Sequence, residues 1–295
     1  MTSPPGRTAL LTGADGQLGL ELQATVPAGW RLAPLGRSGL DVTSADAVRE
    51  VFHRVAPALV INAAAYTAVD AAEDDPAGAE AVNLRGAAHV AQAAREIGAR
   101  VIHVSTDFVF DGRRGHPYAP GDPTNSLCVY GRTKLEGEEA VARISGGSAL
   151  IVRSAWLYSS HGKNFVLTML RLMRGQQTVS VVSDQVGTPT WSRGLAEALW
   201  AAAERPDMSG IHHWTDAGVA SWYDFAVAIQ EEAFEAGLLD RVVPVRPVRT
   251  SDYPTKATRP PYSVLDKSAT WAALGRTAPH WRVSLRRMLG QLPRD

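Results

Sequence analysis

The sequence predicts an α/β protein built on a doubly wound, Rossmann-type parallel sheet, followed by a smaller C-terminal α/β domain. Short apolar, β-prone runs alternate with helical runs through the first half of the chain, which is typical of a parallel sheet covered by helices. A glycine-rich turn joins the first strand to the first helix. The alternation loosens near residue 155. We therefore expect one domain over residues 1–155 and a second over 156–295, with some segments of the second packing on the first.

The first strand, residues 8–12, leads directly into Gly13-Ala14-Asp15-Gly16-Gln17-Leu18-Gly19, and a helical run follows. Glycines allow the backbone to turn tightly and to approach a pyrophosphate, which then lies against the amides of the helix N-terminus. The spacing is G-x-x-G-x-x-G, not the better-known G-x-G-x-x-G, and a plain turn is the alternative. The position between strand and helix favours a dinucleotide site.

The second strand, residues 30–35, ends at Gly36 and Arg37. A dinucleotide fold that binds the ribose 2′-hydroxyl needs an acid here, whereas an arginine can pair with a 2′-phosphate. The sequence thus favours NADPH over NADH, with a solvated loop arginine as the alternative. Asp41 is either a turn residue or a contact to the adenine edge, and Thr43 or Ser44 caps the next helix.

The next strands end in polar or small residues, as expected of a ligand-binding sheet edge. Residues 58–65 form an apolar run followed by a loop over 66–70, and a crossover helix is predicted over 76–97. The strand at 100–104 runs into the hydroxyls of Ser105 and Thr106. Because ligands of open α/β sheets bind at the carboxyl ends of the strands, these hydroxyls are candidate site residues.

A tyrosine and a lysine, Tyr130 and Lys134, stand four residues apart at the start of a helical run, and this spacing puts them on one helical face. A nearby ammonium favours the phenolate, so we expect Lys134 to lower the pKa of Tyr130 from its usual value of about 10. Such a pair can pass a proton to a reacting oxygen. A buried tyrosine beside a solvated lysine gives the same spacing, so the other motifs have to decide whether this pair is catalytic.

The C-terminal half is less regular. A strand at 149–153 ends just before Trp156, a helix follows residues 162–165, another strand spans 178–182, and prolines interrupt residues 241–261. Tryptophans concentrate from Trp156 onward. They are expected either to line a substrate pocket or to fill the core.

The composition excludes several classes of protein. With 295 residues, 45% of them hydrophobic, the chain can bury a full core. Thirty basic residues balance thirty acidic ones, so no net charge favours nucleic acid or a membrane as partner. Cys128 is the only cysteine, which excludes an internal disulfide and fits a reducing cytoplasm. Residues 1–7 lack a signal core, and no apolar run approaches the ~20 residues of a membrane span. A cytoplasmic protein is expected.

Together, the strand-glycine-helix start, Ser105-Thr106 at a strand end and the Tyr130-Lys134 helix resemble the extended short-chain dehydrogenase/reductases. Further segments are similar to the dTDP-4-dehydrorhamnose reductase family, and the resemblance covers nearly the whole chain. These segments are residues 62–70, 105–112, 130–138, 162–169, 184–190 and 253–265.

The resemblance implies reduction of the C4 ketone of dTDP-4-dehydro-L-rhamnose by NADPH, with NADH as an alternative donor. It makes Tyr130 the proton donor, Lys134 the residue that lowers its pKa and holds the nicotinamide ribose, and Thr106 a hydrogen-bond donor at the ketone. The implied pyrophosphate contacts are Gly13, Gly16, Gln17, Leu18 and Gly19. Other implied cofactor contacts are Asp41, Val42, Ala65, Tyr66 and Thr67. The implied substrate contacts are Val69, Thr106, Asp107 and Trp156.

The sequence departs from the family pattern at several positions. Phe108 stands where the family usually has tyrosine, residues 126–128 replace a Pro-Leu-Asn, and Tyr262 stands where asparagine is common. These changes leave open which 4-ketohexose is reduced and which epimer results. Some members dimerise through magnesium held by acids; Glu21 matches one of these acids, but Arg193 replaces another. We expect no metal and a monomer or weak homodimer.

Two alternatives stay open on the sequence. The first is a reductase of another dTDP-4-keto-6-deoxyhexose, since the pocket wall alone decides the epimer. The second is a non-catalytic homologue of the fold that regulates a protein partner. The presence of Thr106, Tyr130 and Lys134 argues against the second.

Overall fold

A six-stranded sheet organises the first half of the chain in the computed structural model, which describes residues 7–293. Every neighbouring pair of strands is parallel. The strands from one edge to the other are β2 (Trp30–Leu35), β1 (Arg7–Thr12), β3 (Leu59–Asn62), β4 (Arg100–Thr106), β5 (Leu150–Ser154) and β10 (Gly210–His213). The predicted doubly wound sheet is confirmed. Residues 1–6, where no signal core is expected, lie outside the described residues.

Helices cover both faces of this sheet. They are α1 (Gln17–Ala24), α2 (Ala45–Val55), α3 (Val69–Ala72), α4 (Pro76–Glu80), α5 (Ala87–Glu96), α6 (Val129–Ile144) and, from the second half, α8 (Ser192–Ala203). Leu22 of α1 and Leu195 of α8 are buried in the core on one face, and Phe52 of α2 and Val90 of α5 are buried in the core on the other. Both faces of the sheet are apolar because helices pack on each of them.

The C-terminal half builds its own core from short elements. They are β6 (Leu157–Tyr158), α7 (Phe165–Gly175), β7 (Val179–Val182), β8 (Val186–Gly187), β9 (Thr190–Trp191), β11 (Ala220–Ser221), α9 (Trp222–Glu235), β12 (Val245–Val248), α10 (Ser268–Leu274) and α11 (Trp281–Leu289). Phe225 and Ile229 of α9 pack between Met169 of α7 and Leu285 of α11. Within residues 7–293, no helix is long and apolar enough to cross a bilayer.

Three predicted elements differ from the structure. The strand expected over 58–65 ends at Asn62, because the chain turns away there to line a cavity. The loop expected over 66–70 already enters the short helix α3 at Val69. The helix expected over 76–97 is broken by a π-helical segment, Ala81–Gly86. Such bulges redirect side chains, and this one contains Asn83, whose side chain is buried.

Helix α6 lies unusually close to this π-helical segment. A Cβ added at Gly137 would lie 2.1 Å from the backbone oxygen of Asn83. Real Cβ atoms do not approach a carbonyl oxygen so closely, so only glycine allows the observed distance between the two elements.

We predict that Gly137→Ala destabilises the protein although alanine is the better helix former. The added methyl has to push α6 away from Asn83, and overpacking of this kind costs about 1–3 kcal/mol. Thermal unfolding should show a Tm lower by several degrees. The matched control is Gly175→Ala at the end of α7, where an added Cβ meets nothing within 4 Å. Equal Tm values for the two variants would contradict the packing argument.

Candidate active site

A cavity of about 670 Å³ opens at the carboxyl ends of β1, β3, β4 and β5. All of the residues that the sequence assigns to cofactor, substrate or proton transfer lie in its lining. They are Gly13, Gly16, Gln17, Leu18, Gly19, Arg37, Asp41, Val42, Ala65, Tyr66, Thr67, Val69, Thr106, Asp107, Tyr130, Lys134 and Trp156. Their gathering at one sheet edge follows from the parallel topology, which brings the ends of all the strands together.

The glycine turn between β1 and α1 forms one end of the cavity. Gly13 has φ +70°, and a Cβ there would lie 2.7 Å from the backbone of Ala63. A Cβ on Gly19 would lie 2.3 Å from the oxygen of Gly13. Gly16, which lines the cavity, caps α1 without a side-chain hydrogen bond, so no capping side chain occupies the first amides of the helix. This geometry fits a dinucleotide pyrophosphate.

Arg37 and Asp41 lie beyond the end of β2, at the same end of the cavity. Arg37 is exposed. The Asp41 carboxylate accepts from the backbone nitrogen of Thr43 at 3.0 Å and from its hydroxyl at 2.8 Å. The hydroxyl bond is the main reason why the pKa of Asp41 lies below its usual value. Asp41 therefore holds the turn before α2, which is one of the two roles considered for it.

Asn83 fixes the cavity wall after β3. Its side-chain oxygen accepts from the Tyr66 nitrogen at 2.8 Å, and its side-chain nitrogen donates to the Tyr66 oxygen at 3.2 Å and to the Thr133 hydroxyl at 3.1 Å. A buried amide that satisfies both backbone groups of one residue holds that residue in place. Asn83 thus connects the wall that carries Tyr66 to helix α6.

Helix α6 begins at the cavity with a weak cap. The Cys128 sulfur accepts from the Gly131 nitrogen at 3.5 Å, and the Glu73 carboxylate accepts from the Val129 nitrogen at 2.8 Å. The cysteine that departs from the family pattern therefore acts as the N-cap, with help from an acid on the neighbouring chain segment.

Tyr130, Lys134 and Thr106 meet next to this cap. The Lys134 ammonium is buried and donates to the Val104 oxygen at 2.7 Å. Burial lowers the pKa of Lys134 to about 8, against the opposing effect of Glu138. Thr106 is buried at the end of β4 and donates to the Asp107 carboxylate at 3.1 Å.

The expected lowering of the Tyr130 pKa is wrong. Burial raises the pKa of Tyr130 well above its usual value, the hydrogen bond between Tyr130 and Thr106 opposes this increase, and the Asp107 charge adds to it. Removal of the phenol from water disfavours the phenolate. Tyr130 is therefore a neutral phenol that keeps its proton at neutral pH.

Trp156 and Asp107 lie at the other end of the cavity. The half-buried Trp156 ring stacks on Trp222, with centroids 3.6 Å apart, and the residue has φ +49°. Gly187 makes room for it, because a Cβ there would lie 2.6 Å from the indole. The Asp107 carboxyl is buried, and burial raises its pKa to about 6. Phe108 packs edge-on against Tyr130, with centroids 5.5 Å apart.

Several lining residues were not identified as site residues on the sequence. Among them are Ser154, Lys163, Trp222 and Arg259. Ser154 ends strand β5, and that position could have identified it. Lys163 and Arg259 lie in segments that resemble the family, but no role was assigned to either, and Trp222 lies outside those segments.

Glu21 and Arg193 occupy positions that correspond to magnesium-binding acids in some family members. The Arg193 Nη1 and the Glu21 Oε2 lie 3.8 Å apart. Glu21 is buried, and burial raises its carboxyl pKa. Over residues 7–293, no group of three or more His, Cys, Asp or Glu side chains could hold a metal ion.

The chain matches one protein-family model, described as the RmlD substrate binding domain, over residues 7–293. It is 44% identical to a dTDP-4-dehydrorhamnose reductase of Streptomyces griseus, over 97% of this chain and 94% of that one. It is 40% identical to the reductase of the same name from Aggregatibacter actinomycetemcomitans, over 94% and 96% of the two chains.

A solved structure shares the fold over its full length. The dTDP-4-dehydrorhamnose reductase of Bacillus anthracis in complex with NADP aligns with a TM-score of 0.91 at 33% identity, over 97% of this chain and 100% of that one. These matches and the geometry of the cavity agree with the resemblance found in the motifs. The chain therefore belongs to the dTDP-4-dehydrorhamnose reductase family, through the RmlD substrate binding domain that spans residues 7–293.

Proposed function

We propose that this chain reduces the C4 ketone of dTDP-4-dehydro-L-rhamnose to the alcohol of dTDP-L-rhamnose, with NADPH as cofactor. The observation that supports this most directly is the meeting of Thr106, Tyr130 and Lys134 in a cavity whose other end is a pyrophosphate-binding turn. Relatives of the same name, 40% and 44% identical over nearly the whole chain, support the substrate.

The cofactor contacts follow from the glycine turn and from Arg37. Gly13, Gly16 and Gly19 let the pyrophosphate approach the first amides of α1. Arg37 follows β2 and lines the cavity, and a guanidinium fork fits a phosphate better than a point charge does. We therefore favour NADPH, with NADH as the weaker donor. The relative of known structure with NADP supports this choice.

The residues of the cavity provide the proton chemistry. NADPH, when bound, supplies the hydride that reduces the ketone. The resulting negative oxygen needs a proton and a preorganised donor. Tyr130, a neutral phenol, gives the proton, and the Thr106 hydroxyl, which donates to Asp107 in the structure, would turn to donate its hydrogen bond at the same oxygen. The Lys134 ammonium, held by the Val104 oxygen at 2.7 Å, stabilises the phenolate that remains and would hold the nicotinamide ribose.

We propose that the two halves of the chain bind different ligands. We assign the cofactor to residues 1–155 and most of the sugar-nucleotide pocket to residues 156–295, with Val69, Asp107 and Trp156 as substrate contacts. Strand β10 returns from the second half to the edge of the sheet. The proposed partner is the dTDP-sugar, and the proposed compartment is the cytoplasm.

The alternative substrate is another dTDP-4-keto-6-deoxyhexose. Phe108 supports this alternative, because it contacts Tyr130 and offers no hydroxyl to the sugar. A non-catalytic regulatory role is disfavoured, since such a protein does not require a buried lysine beside a tyrosine and a threonine.

We predict that Tyr130→Phe lowers kcat by about 10²–10⁴-fold, the usual contribution of a general acid. The dissociation constant for NADPH should stay close to that of the wild type, because little volume is lost. Stopped-flow oxidation of NADPH and fluorescence titration measure the two quantities. Tyr223→Phe on α9, outside the cavity lining, is the matched control. Turnover at the wild-type rate in Tyr130→Phe would refute the assignment.

We predict that Arg37→Ala reduces the preference for NADPH over NADH, because the guanidinium pairs with the 2′-phosphate alone. The kcat/KM for NADPH should fall by about tenfold or more while that for NADH changes little. Arg31→Ala on β2, whose side chain is exposed and donates to the Thr8 hydroxyl, is the control. An unchanged ratio of the two kcat/KM values would place Arg37 in solvent.

We predict that Trp156→Ala raises KM for the dTDP-sugar and leaves the NADPH affinity unchanged, since the indole faces the substrate end. The fall in Tm should be smaller than that of Trp191→Ala, because Trp191 is 8% exposed in the core and Trp156 is half-buried. Loss of a buried tryptophan typically costs about 3–5 kcal/mol. A large fall in Tm with an unaltered KM would make Trp156 a core residue.

A further inference from the structure

Four cationic side chains of the described residues line the cavity, namely Arg37, Lys134, Lys163 and Arg259. Under the proposed function, the cavity holds two diphosphates, one in the cofactor and one in the sugar nucleotide. Each diphosphate needs positive charge or amide donors nearby. The positions of the four cations decide which of them can serve the second diphosphate.

Three of these four cations lie near the proposed cofactor site or already have a hydrogen-bond acceptor in the protein. Arg37 follows β2 at the adenosine end. The Lys163 backbone oxygen accepts from the Gln17 side chain at 3.3 Å, which places this lysine beside the glycine turn. The Lys134 ammonium is buried under Tyr130 with the Val104 oxygen as its acceptor. Among these four cations of residues 7–293, Arg259 is the one left for an anion at the substrate end.

An ion pair with Asp70 holds Arg259 at the substrate end of the cavity. Its Nη2 donates to the Asp70 carboxylate at 2.6 Å, and Asp70 directly follows Val69, which also lines the cavity. The other Asp70 oxygen accepts from the Ala257 nitrogen at 3.1 Å. The carboxylate is therefore fixed at both oxygens and holds one nitrogen of the guanidinium fork in place.

The rest of the fork is free for a ligand. Within residues 7–293, Nε and Nη1 of Arg259 have no protein acceptor, and the side chain is 23% exposed. The backbone behind it is rigid: the Pro261 oxygen accepts from the Val186 nitrogen at 2.8 Å, and Gly112 packs closely against Pro261. An arginine that is fixed at one nitrogen and open at the others is preorganised for a phosphate.

We propose that Arg259, oriented by Asp70, binds the diphosphate of the sugar-nucleotide substrate. This inference rests on the proposed function and adds a binding residue for the nucleotide part of the substrate. The guanidinium offers two donors to phosphate oxygens, while Asp70 prevents it from turning into solvent. Arg259 contacts the substrate away from the ketone, so it contributes to affinity and not to proton transfer.

The test compares binding of dTDP and of thymidine to the full chain by isothermal titration calorimetry. In Arg259→Gln, the Kd for dTDP should rise by about 10–100-fold, as expected for a lost charge-assisted hydrogen bond. The Kd for thymidine, which lacks phosphate, and the Kd for NADPH should match those of the wild type. Arg259→Lys should recover part of the dTDP affinity.

Lys256→Gln is the matched control, because Lys256 is an exposed cation three residues away that pairs with Asp74 and does not line the cavity. It should leave all three Kd values unchanged. An unchanged dTDP affinity in Arg259→Gln would overturn the inference and leave the proposed function standing, provided that the wild type binds dTDP. An equal loss for thymidine would also overturn it, since the pocket itself would then have collapsed. Failure of the wild type to bind dTDP would overturn the proposed substrate and with it the inference.

Discussion

The close approach of helix α6 to the carboxyl edge of the sheet is the constraint on which the rest of the site depends. A Cβ at Gly131 would lie 2.2 Å from the backbone oxygen of Phe108, and one at Gly137 would lie 2.1 Å from that of Asn83. Gly131 lets the helix pack against the segment that follows β4, and Gly137 lets it pack against the π-helical segment Ala81–Gly86. That distance brings the Lys134 ammonium to 2.7 Å from the Val104 oxygen and places Tyr130 beside Thr106.

The close approach of helix α6 buries the Lys134 ammonium, and Glu138 of the same helix provides a compensating negative charge. Glu138, one turn after Lys134, is buried and accepts three hydrogen bonds from Arg153 at 2.7 to 3.1 Å. Loss of one partner from such a buried pair is expensive because the other charge is left uncompensated. Glu138 also favours the charged form of Lys134. Glu138 therefore helps to keep the buried Lys134 ammonium charged, one helical turn from Tyr130.

Local motifs made much of the site predictable, and long-range contacts made the rest unpredictable. The glycine turn and the Tyr130-Lys134 helix are continuous in sequence, so each was recognised as a candidate, and their joint occurrence with Ser105-Thr106 indicated the chemistry. Arg259 lies almost 190 positions from its partner Asp70, and no periodicity joins the two. The direction of the Tyr130 pKa shift was also beyond the sequence, because it depends on how fully the fold removes the phenol from water.

The most direct test of this account is the fate of the hydride. The wild-type protein should be incubated with dTDP-4-dehydrorhamnose and NADPH carrying deuterium at C4 of the nicotinamide, and the product sugar analysed by NMR and mass spectrometry. We expect stoichiometric oxidation of NADPH and formation of dTDP-L-rhamnose with a single deuterium at C4 of the sugar. The C4 epimer as product, deuterium elsewhere, or no oxidation of NADPH would contradict it.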